Sequence, residues 1–228
     1  KVKSAMTYPI AVLVISFAVV SLLLLKVIPV FEKMFEGAGT SLPGPTAMVI
    51  AASQFAQSYW WIILIVLIAL GAGFVQFYRT EKGRWVVDSA TLKAPIFGPV
   101  MKKVAVAKFS RTMATMMSSG VPILEGLNIV SKTSGNVVVE DALLKTRQSI
   151  SEGQSIAEPL SATGIFPPMV VQMIAVGEAT GALDSMLNKI ADFYDDEVDA
   201  AVEAMTSLLE PVMMVFLGGI VGGMIVAM

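Results

Sequence analysis

A nearly uninterrupted apolar run at residues 10–25 is the feature that most constrains how this chain can fold. Only Ser16 and Ser21 interrupt it, and with its flanks it is long enough, at about 1.5 Å per helical residue, to cross a hydrocarbon core about 30 Å thick. The run continues through Lys26 without the small-residue cleavage site of a signal peptide. The sequence therefore predicts that residues 1–30 contain a first transmembrane helix.

Two further segments have the same character. Residues 59–78 begin with an aromatic cluster and end at Tyr78, as expected for a span with its ends at the two membrane interfaces. Residues 211–228 contain no charge, and the whole chain is 55% hydrophobic and only 15% charged, whereas soluble domains usually carry about 25% charged residues. We expect three transmembrane helices (1–30, 59–78 and 208–228), a short periplasmic loop (31–58) and one cytoplasmic domain (79–207).

The distribution of basic residues predicts the orientation. Lys1 and Lys3 precede the first predicted span, and Arg79, Lys82 and Arg84 follow the second, whereas the loop at 31–58 contains only one lysine. Because lysine and arginine are retained on the cytoplasmic side, we expect a multi-pass protein of the bacterial inner membrane. Its N-terminus and large domain would lie in the cytoplasm, and its C-terminus outside.

Helix start and stop signals divide the domain, and no alternating strand pattern appears. The fold class predicted is therefore all-α, with an antiparallel helical bundle attached to the three spans. The signals predict five helices before residue 183: from Pro99 to Ser119, from Pro122 to about Ser131, from an Asn136 cap to near Gly153, from a Ser155–Glu158 capping box to Gly164, and from Pro167 to near Gly181.

The next helix, from Leu183, is amphipathic. Leu183, Leu187, Ile190, Tyr194, Val198, Ala201, Met205 and Leu208 fall on one side of a helical wheel. We call the carboxylates on the opposite side the acidic stripe: Asp192, Asp195, Asp196, Asp199 and Glu203. The stripe is a candidate surface for docking a partner or another protomer, and the alternative is a solvated helix face. Eight basic residues at 79–111 and nine acidic residues at 178–210 further predict a domain with one basic and one acidic end.

Glu197 is an exception, because the wheel places it within the apolar side. Either it reaches water at the edge of the domain, or it is a buried carboxylate paired with a basic residue of the helix at 99–119. Arg111 is the candidate partner in the second case.

The amphipathic helix continues without a break signal to Glu210 and Pro211, where we expect it to bend and enter the third span. These two residues are candidates for coupling the cytoplasmic domain to the third span at the membrane edge, because a movement of the cytoplasmic part of the helix would be transmitted into the bilayer. Four glycines with overlapping GxxxG spacing are candidates for packing between transmembrane helices: Gly218, Gly219, Gly222 and Gly223.

Several functional classes lack support. The chain has no histidine and no cysteine, and it contains no G-x-S-x-G, HExxH or Walker A motif. We therefore predict no catalytic residue, no metal site and no cofactor. A small-solute transporter is a distant alternative, because the polar residues available within the spans (Ser16, Ser21 and Gln76) are few.

A family resemblance adds to this interpretation. Twelve N-terminal residues occupy positions of one sequence signature: Lys1, Val2, Ala5, Met6, Tyr8, Pro9, Val12, Ser16, Leu23, Val27, Ile28 and Pro29. With FSRTMATMMSSGVPILEGL (109–127) and VGEATGALDSML (176–187), the chain resembles the type II secretion F family, the inner-membrane platform proteins of type IV pilus and type II secretion machines. In the details of its sequence the chain looks more like the pilus-type members of the family. Members of the family usually have a second cytoplasmic domain before the first span, so the chain looks like the C-terminal portion of a longer protein.

The resemblance implies a non-enzymatic scaffold. Such a platform docks on the cytoplasmic hexameric ATPase for pilus assembly or retraction and passes its movement to pilin subunits. The further partners implied are other inner-membrane alignment proteins, additional copies of the chain in a homo-oligomer, and the lipid bilayer, but no nucleic acid. A platform of a type II secretion system, which assembles a pseudopilus, is the alternative.

Overall fold

The computed structural model describes residues 7–22, 26, 29–30, 44–95 and 97–227. Within them the chain forms nine α-helices and no strand, which confirms the all-α fold class. The helices are α1 (Thr7–Leu22), α2 (Gly44–Arg79), α3 (Glu81–Lys93), α4 (Phe97–Ser118), α5 (Ile123–Thr133), α6 (Val137–Ser151), α7 (Ala157–Ala162), α8 (Pro168–Thr180) and α9 (Leu183–Ala227).

The chain divides into two compact units. Val75–Ala201 form one, which we call the helical bundle. The other, which we call the apolar unit, consists of Lys1–Phe74 and Val202–Met228.

Aliphatic residues from most of its helices form the core of the bundle. Helices α3 and α5 each pack on both α4 and α6. Helix α7 packs on α6 and α8. The rings of Phe109 and Phe166 meet edge to face with their centroids 4.9 Å apart. The largest side chains that are almost completely buried include Leu127, Leu143, Leu160, Ile174, Leu187 and Ile190. Burial of this kind contributes about 1.5–3 kcal/mol for each large aliphatic side chain, so the core stabilises the helices that carry the exposed charges.

Local signals located most helix ends in the bundle. The Asn136 side chain caps α6 by accepting hydrogen bonds from the amides of Val138 and Val139, at 2.9 and 3.2 Å. Gly120 and Gly181 follow α4 and α8 with φ of 77° and 71°, in the left-handed region that favours glycine. These three caps are as predicted.

The predicted capping box at Ser155 and Glu158 is wrong. α7 begins at Ala157 after Ile156, and no side chain caps it locally. Instead, the amide of Ile156 donates to the carboxylate of Glu178 on α8, at 3.0 and 3.1 Å. A partner distant in sequence therefore satisfies one of the free amides at the start of α7.

Helix α3 was not predicted at all. It starts at Glu81, and Thr80 is the single residue between it and α2. The Thr80 hydroxyl caps the helix by accepting a hydrogen bond from the Gly83 amide at 3.1 Å. A Cβ atom at Gly83 would overlap the carbonyl oxygen of Phe77, so only glycine permits this close corner between α2 and α3.

Helix α2 is 36 residues long and begins at Gly44. Its residues up to Phe74 belong to the apolar unit and its last five to the bundle. Residues 44–58, predicted as part of a loop, are therefore helical, while residues 31–43, with the rest of that loop, lie outside the described residues. Within the described residues, Gln57–Arg79 is the single stretch long and apolar enough to cross a membrane, with a mean hydropathy of 2.3 and none of that window buried.

The other two predicted spans fall on α1 and on the end of α9. In α1, the hydroxyl of Ser16 donates to the carbonyl of Val12 at 2.6 Å, so the serine satisfies its own polar group within the helix. Helix α9 contains 45 residues and continues through Pro211, as the single helix predicted from Leu183 onward.

Candidate docking surface

The predicted amphipathic pattern of α9 is present in its first half. Leu183, Leu187, Ile190, Tyr194 and Val198 are buried, while the acidic stripe is exposed or half-exposed. Beyond Val198 the pattern departs from the prediction: Val202 is buried and Leu208 is 65% exposed. The wheel is therefore correct for the part of α9 that belongs to the bundle.

Arg111 of α4 binds two members of the acidic stripe. Its Nη2 atom lies 2.7 Å from an oxygen of Asp192 and 2.7 Å from an oxygen of Asp195. The hydrogen bonds that Arg111 donates, first to Asp195 and then to Asp192, raise its pKa, because the two carboxylates stabilise the charged guanidinium. The sequence analysis placed all five stripe carboxylates on the outward face and did not anticipate that a cation of the same chain binds two of them.

Glu197 forms an ion pair with Lys103, whose Nζ atom lies 2.7 Å from Oε2. The predicted pairing with Arg111 is wrong. α4 and α9 run in opposite directions where these side chains meet, so the lower-numbered basic residue reaches the higher-numbered acid and Arg111 reaches Asp192 and Asp195. The side chain of Glu197 is 40% exposed, as in the alternative that placed it at the edge of the domain in contact with water.

Tyr194 lies between Asp192 and Asp195, the two partners of Arg111, in the sequence of α9. Its ring is buried and meets that of Phe193 edge to face, with centroids 5.4 Å apart. Burial, and to a smaller extent the charge of Glu197, raise the pKa of its phenol above the usual value of 10.0.

The basic and acidic segments therefore do not form opposite ends of the domain, because at least three of their charged contacts join α4 to α9. Asp199 is also engaged within the chain. Asp196 and Glu203 are exposed, so the part of the stripe that best fits a docking surface is narrower than predicted.

A polar junction in the bundle was missed by the sequence analysis. Asp88 of α3 is 5% exposed and accepts hydrogen bonds from the Tyr78 hydroxyl at 3.0 Å and from the Val137 amide at 2.7 Å. The side-chain amide of Asn136 donates to the Asp88 carbonyl at 3.2 Å. The sequence signal for this junction was Thr80 followed by Glu81, which marks the start of a helix. Once that helix is recognised, Asp88 falls on the face of α3 that packs on the bundle, together with Thr91 and Leu92.

Three of the four candidate packing glycines lie on an open part of α9. A Cβ atom at Gly218, Gly219 or Gly222 would have nothing within 4 Å. The backbone of Gly223 and Glu210 is helical, but their surroundings lie outside the described residues, and Pro211 is exposed within the helix.

A groove of about 560 Å³ between α3, α6 and α7 is lined by Trp85, Asp141, Lys145 and Glu158 among others. Its lysine is paired with Asp141 at 2.7 Å. No group of three or more acidic side chains in the described part of the chain is arranged to hold a metal ion.

Comparison with known proteins connects this architecture to one family. Residues 109–228 match the family model described as Type II secretion system (T2SS), protein F. Along its whole length the chain is 57% identical to the type IV pilus assembly protein PilC of Myxococcus xanthus and 43% identical to the protein of that name from Pseudomonas aeruginosa. It is 35% identical, over 97% of its length, to the type II secretion system protein F of Aeromonas hydrophila.

The chain spans 55%, 61% and 57% of the lengths of these three relatives. The family model covers more than half of the chain, including Arg111 and the acidic stripe. The chain belongs to the type II secretion system protein F family.

Proposed function

We propose that the chain is part of a non-enzymatic inner-membrane platform that couples a cytoplasmic hexameric ATPase to the assembly and disassembly of a type IV pilus. The observation that carries the proposal is the contrast in identity: 57% and 43% to two pilus assembly proteins over the whole chain, against 31–35% to three secretion proteins.

Membrane insertion is the first element of the proposal. Gln57–Arg79 crosses the bilayer with Arg79, Lys82 and Arg84 at its cytoplasmic end, while the helices at 1–30 and 208–228 provide two further spans. The bundle then lies in the cytoplasm, where it meets the ATPase. The pilin subunits and the other inner-membrane alignment proteins contact the membrane-embedded part.

The acidic stripe is the proposed docking surface for the motor. Asp192 and Asp195 share the single positive charge of Arg111, so we assign the outward charge chiefly to Asp196 and Glu203, which are exposed. Gly218, Gly219 and Gly222, with Gly223 beside them, permit close packing of the third span against a neighbouring helix, including that of another protomer. Glu210 and Pro211 lie where α9 would enter the bilayer.

The matching family model and the more distant secretion relatives favour a second candidate, the platform of a type II secretion system. Deleting the gene in the host bacterium separates the two. We expect loss of surface pili in electron micrographs and of pilus-dependent motility, with normal amounts of exported enzymes in the medium. Normal pili together with failed export would instead identify the secretion platform.

Charge reversal tests the docking surface. Asp196→Lys combined with Glu203→Lys should abolish copurification of the ATPase and reduce piliation, because both exposed charges change sign. The matched control is Asp184→Lys, an exposed acid on α9 outside the stripe. If the double variant binds the ATPase as well as the control does, the stripe is a solvated helix face.

A further inference from the structure

The corner between α2 and α3 has very little chain to define it. Thr80 alone separates the two helices, with φ of −77° and ψ of 144°. A connection of one residue can still swivel through changes in its two backbone dihedrals. The angle at which α2 leaves the bundle therefore depends on contacts beyond the connection itself.

Two contacts restrain that corner. The first is the close approach of Gly83 to the Phe77 carbonyl, which limits how α3 can turn beneath the end of α2. The second is the hydrogen bond from the Tyr78 hydroxyl to the Asp88 carboxyl group, which joins the two helices across ten positions of sequence.

Asp88 is itself fixed by the bundle. Its other carboxyl oxygen accepts the amide of Val137, the first residue of α6, and its carbonyl accepts a hydrogen bond from Asn136. Asn136 is also buried. Hydrogen bonds to a buried carboxyl group at a helix N-terminus are among the stronger ones in proteins. One buried side chain therefore ties α2, α3 and α6 together.

We propose that Asp88 is a positioning residue that transmits the position of the bundle to α2 through Tyr78. This inference rests on the proposed function, in which the bundle receives the movement of the motor and α2 lies in the membrane. Tyr78 belongs both to the candidate span Gln57–Arg79 and to the bundle, so its hydrogen bond to Asp88 holds the end of the candidate span against α3 within the bundle.

Tyr78→Phe is the most selective test, because it removes the link to α2 and leaves the contacts of Asp88 with Val137 and Asn136. Tyr59→Phe is the matched control, since it makes the same chemical change on the same helix. Asp88→Asn is the second variant, and the double variant tells whether the two residues act as one pair. All are made in the full-length protein as its sole cellular copy.

The geometry of the corner can be measured directly, because the chain has no native cysteine. Cysteines introduced at Val75 and Leu144, both exposed, carry spin labels for pulsed distance measurement. Losing a hydrogen bond to a charged group shifts an equilibrium about tenfold. We therefore expect Tyr78→Phe to broaden the distance distribution and to lower the amount of surface pilin about tenfold. Tyr59→Phe should resemble the wild type in both measurements. The double variant should have no less surface pilin than Asp88→Asn.

Each contrary result has a definite meaning. If the distance distribution of Tyr78→Phe is as narrow as that of the wild type, the proposal is overturned, regardless of how many pili the variant makes. A broadened distribution with normal piliation also overturns it, because the joint would then transmit nothing. Additive losses in the double variant show that the residues act separately and overturn the pairing. Pili that survive deletion of the whole gene refute the proposed function itself, which is a separate result.

Discussion

The bundle and helix α2 contain the same types of apolar residue, but these are buried in the bundle and exposed on α2. Leu127 and Leu143 in the bundle are 0% exposed, whereas Leu64 and Leu67 in α2 are 51% and 60% exposed. Other parts of the protein cover the leucines of the bundle, whereas in our proposal lipid covers those of α2. The difference teaches that hydrophobicity alone does not identify a core, since the surroundings of each side chain decide what it stabilises.

The largest effect that separates the two regions should come from truncating a core leucine. Leu127→Ala should lower the free energy of unfolding of the bundle by about 2–5 kcal/mol, because it removes buried contacts and leaves a cavity. Leu64→Ala, at an exposed position on α2, should leave it unchanged. Denaturant unfolding in detergent, followed by the fluorescence of the bundle, measures both. Equal losses would mean that α2 is packed like a core helix.

A charge should have the reverse selectivity. Leu67→Arg should reduce the membrane-bound fraction of the protein, because arginine near the middle of a span costs about 2.5–3.5 kcal/mol on insertion scales. The matched control is Leu144→Arg, at an exposed position of the bundle, where a surface substitution changes stability by less than about 0.5 kcal/mol. Fractionation of membranes gives the comparison. If Leu67→Arg inserted normally, α2 would not be a span.

The ion pairs between α4 and α9 should contribute less than the core. Lys103 and Glu197 are 34% and 40% exposed, so Glu197→Gln should cost less than about 1 kcal/mol, and the cost should decrease in high salt. Lys103→Gln should add little to it, because both variants break the same pair. Thermal unfolding at two salt concentrations tests this, with Asp184→Asn as the control. A large loss independent of salt would indicate a desolvated pair.

Alkaline pH should produce the smallest effect. The pKa of Tyr194 is raised above 10.0 in the folded bundle. Below pH 10.0 both states retain the proton, so stability is unaffected, but above it the unfolded state ionises first and stability declines until the pH passes the folded pKa. Tyr194→Phe should remove this part of the alkaline decline. Thermal melts between pH 9 and 11 measure it, and an identical decline in the variant would contradict the prediction.

Local patterns predicted what depends on neighbours in sequence. Asn136 and Gly181 mark helix ends through hydrogen bonds and backbone angles formed within a few residues, and the spacing of Leu183, Leu187 and Ile190 marks a buried face. The capping box at Ser155 did not form, and the neighbouring amide of Ile156 donates instead to Glu178 of another helix. Local spacing cannot reveal a partner on another helix.

Charge partners were the other failure, for the same reason. The sequence identified Glu197 as a carboxylate on the wrong face of the wheel, but the register of α4 against α9 determines that Lys103 rather than Arg111 reaches it. Asp88 is a stronger case, because its donors Tyr78 and Val137 are far from it in the chain and meet only when three helices pack together.

The amino-acid sequence by itself determined the all-helical class, the positions of most helices and the apolar character of α2, because helix propensity, capping and hydropathy act over a few residues. Only the tertiary structure decided that Arg111 occupies part of the acidic stripe and that Asp88 joins the end of α2 to the bundle. The physical reason is that a hydrogen bond or an ion pair depends on distances of about 3 Å between atoms, and packing between helices sets those distances.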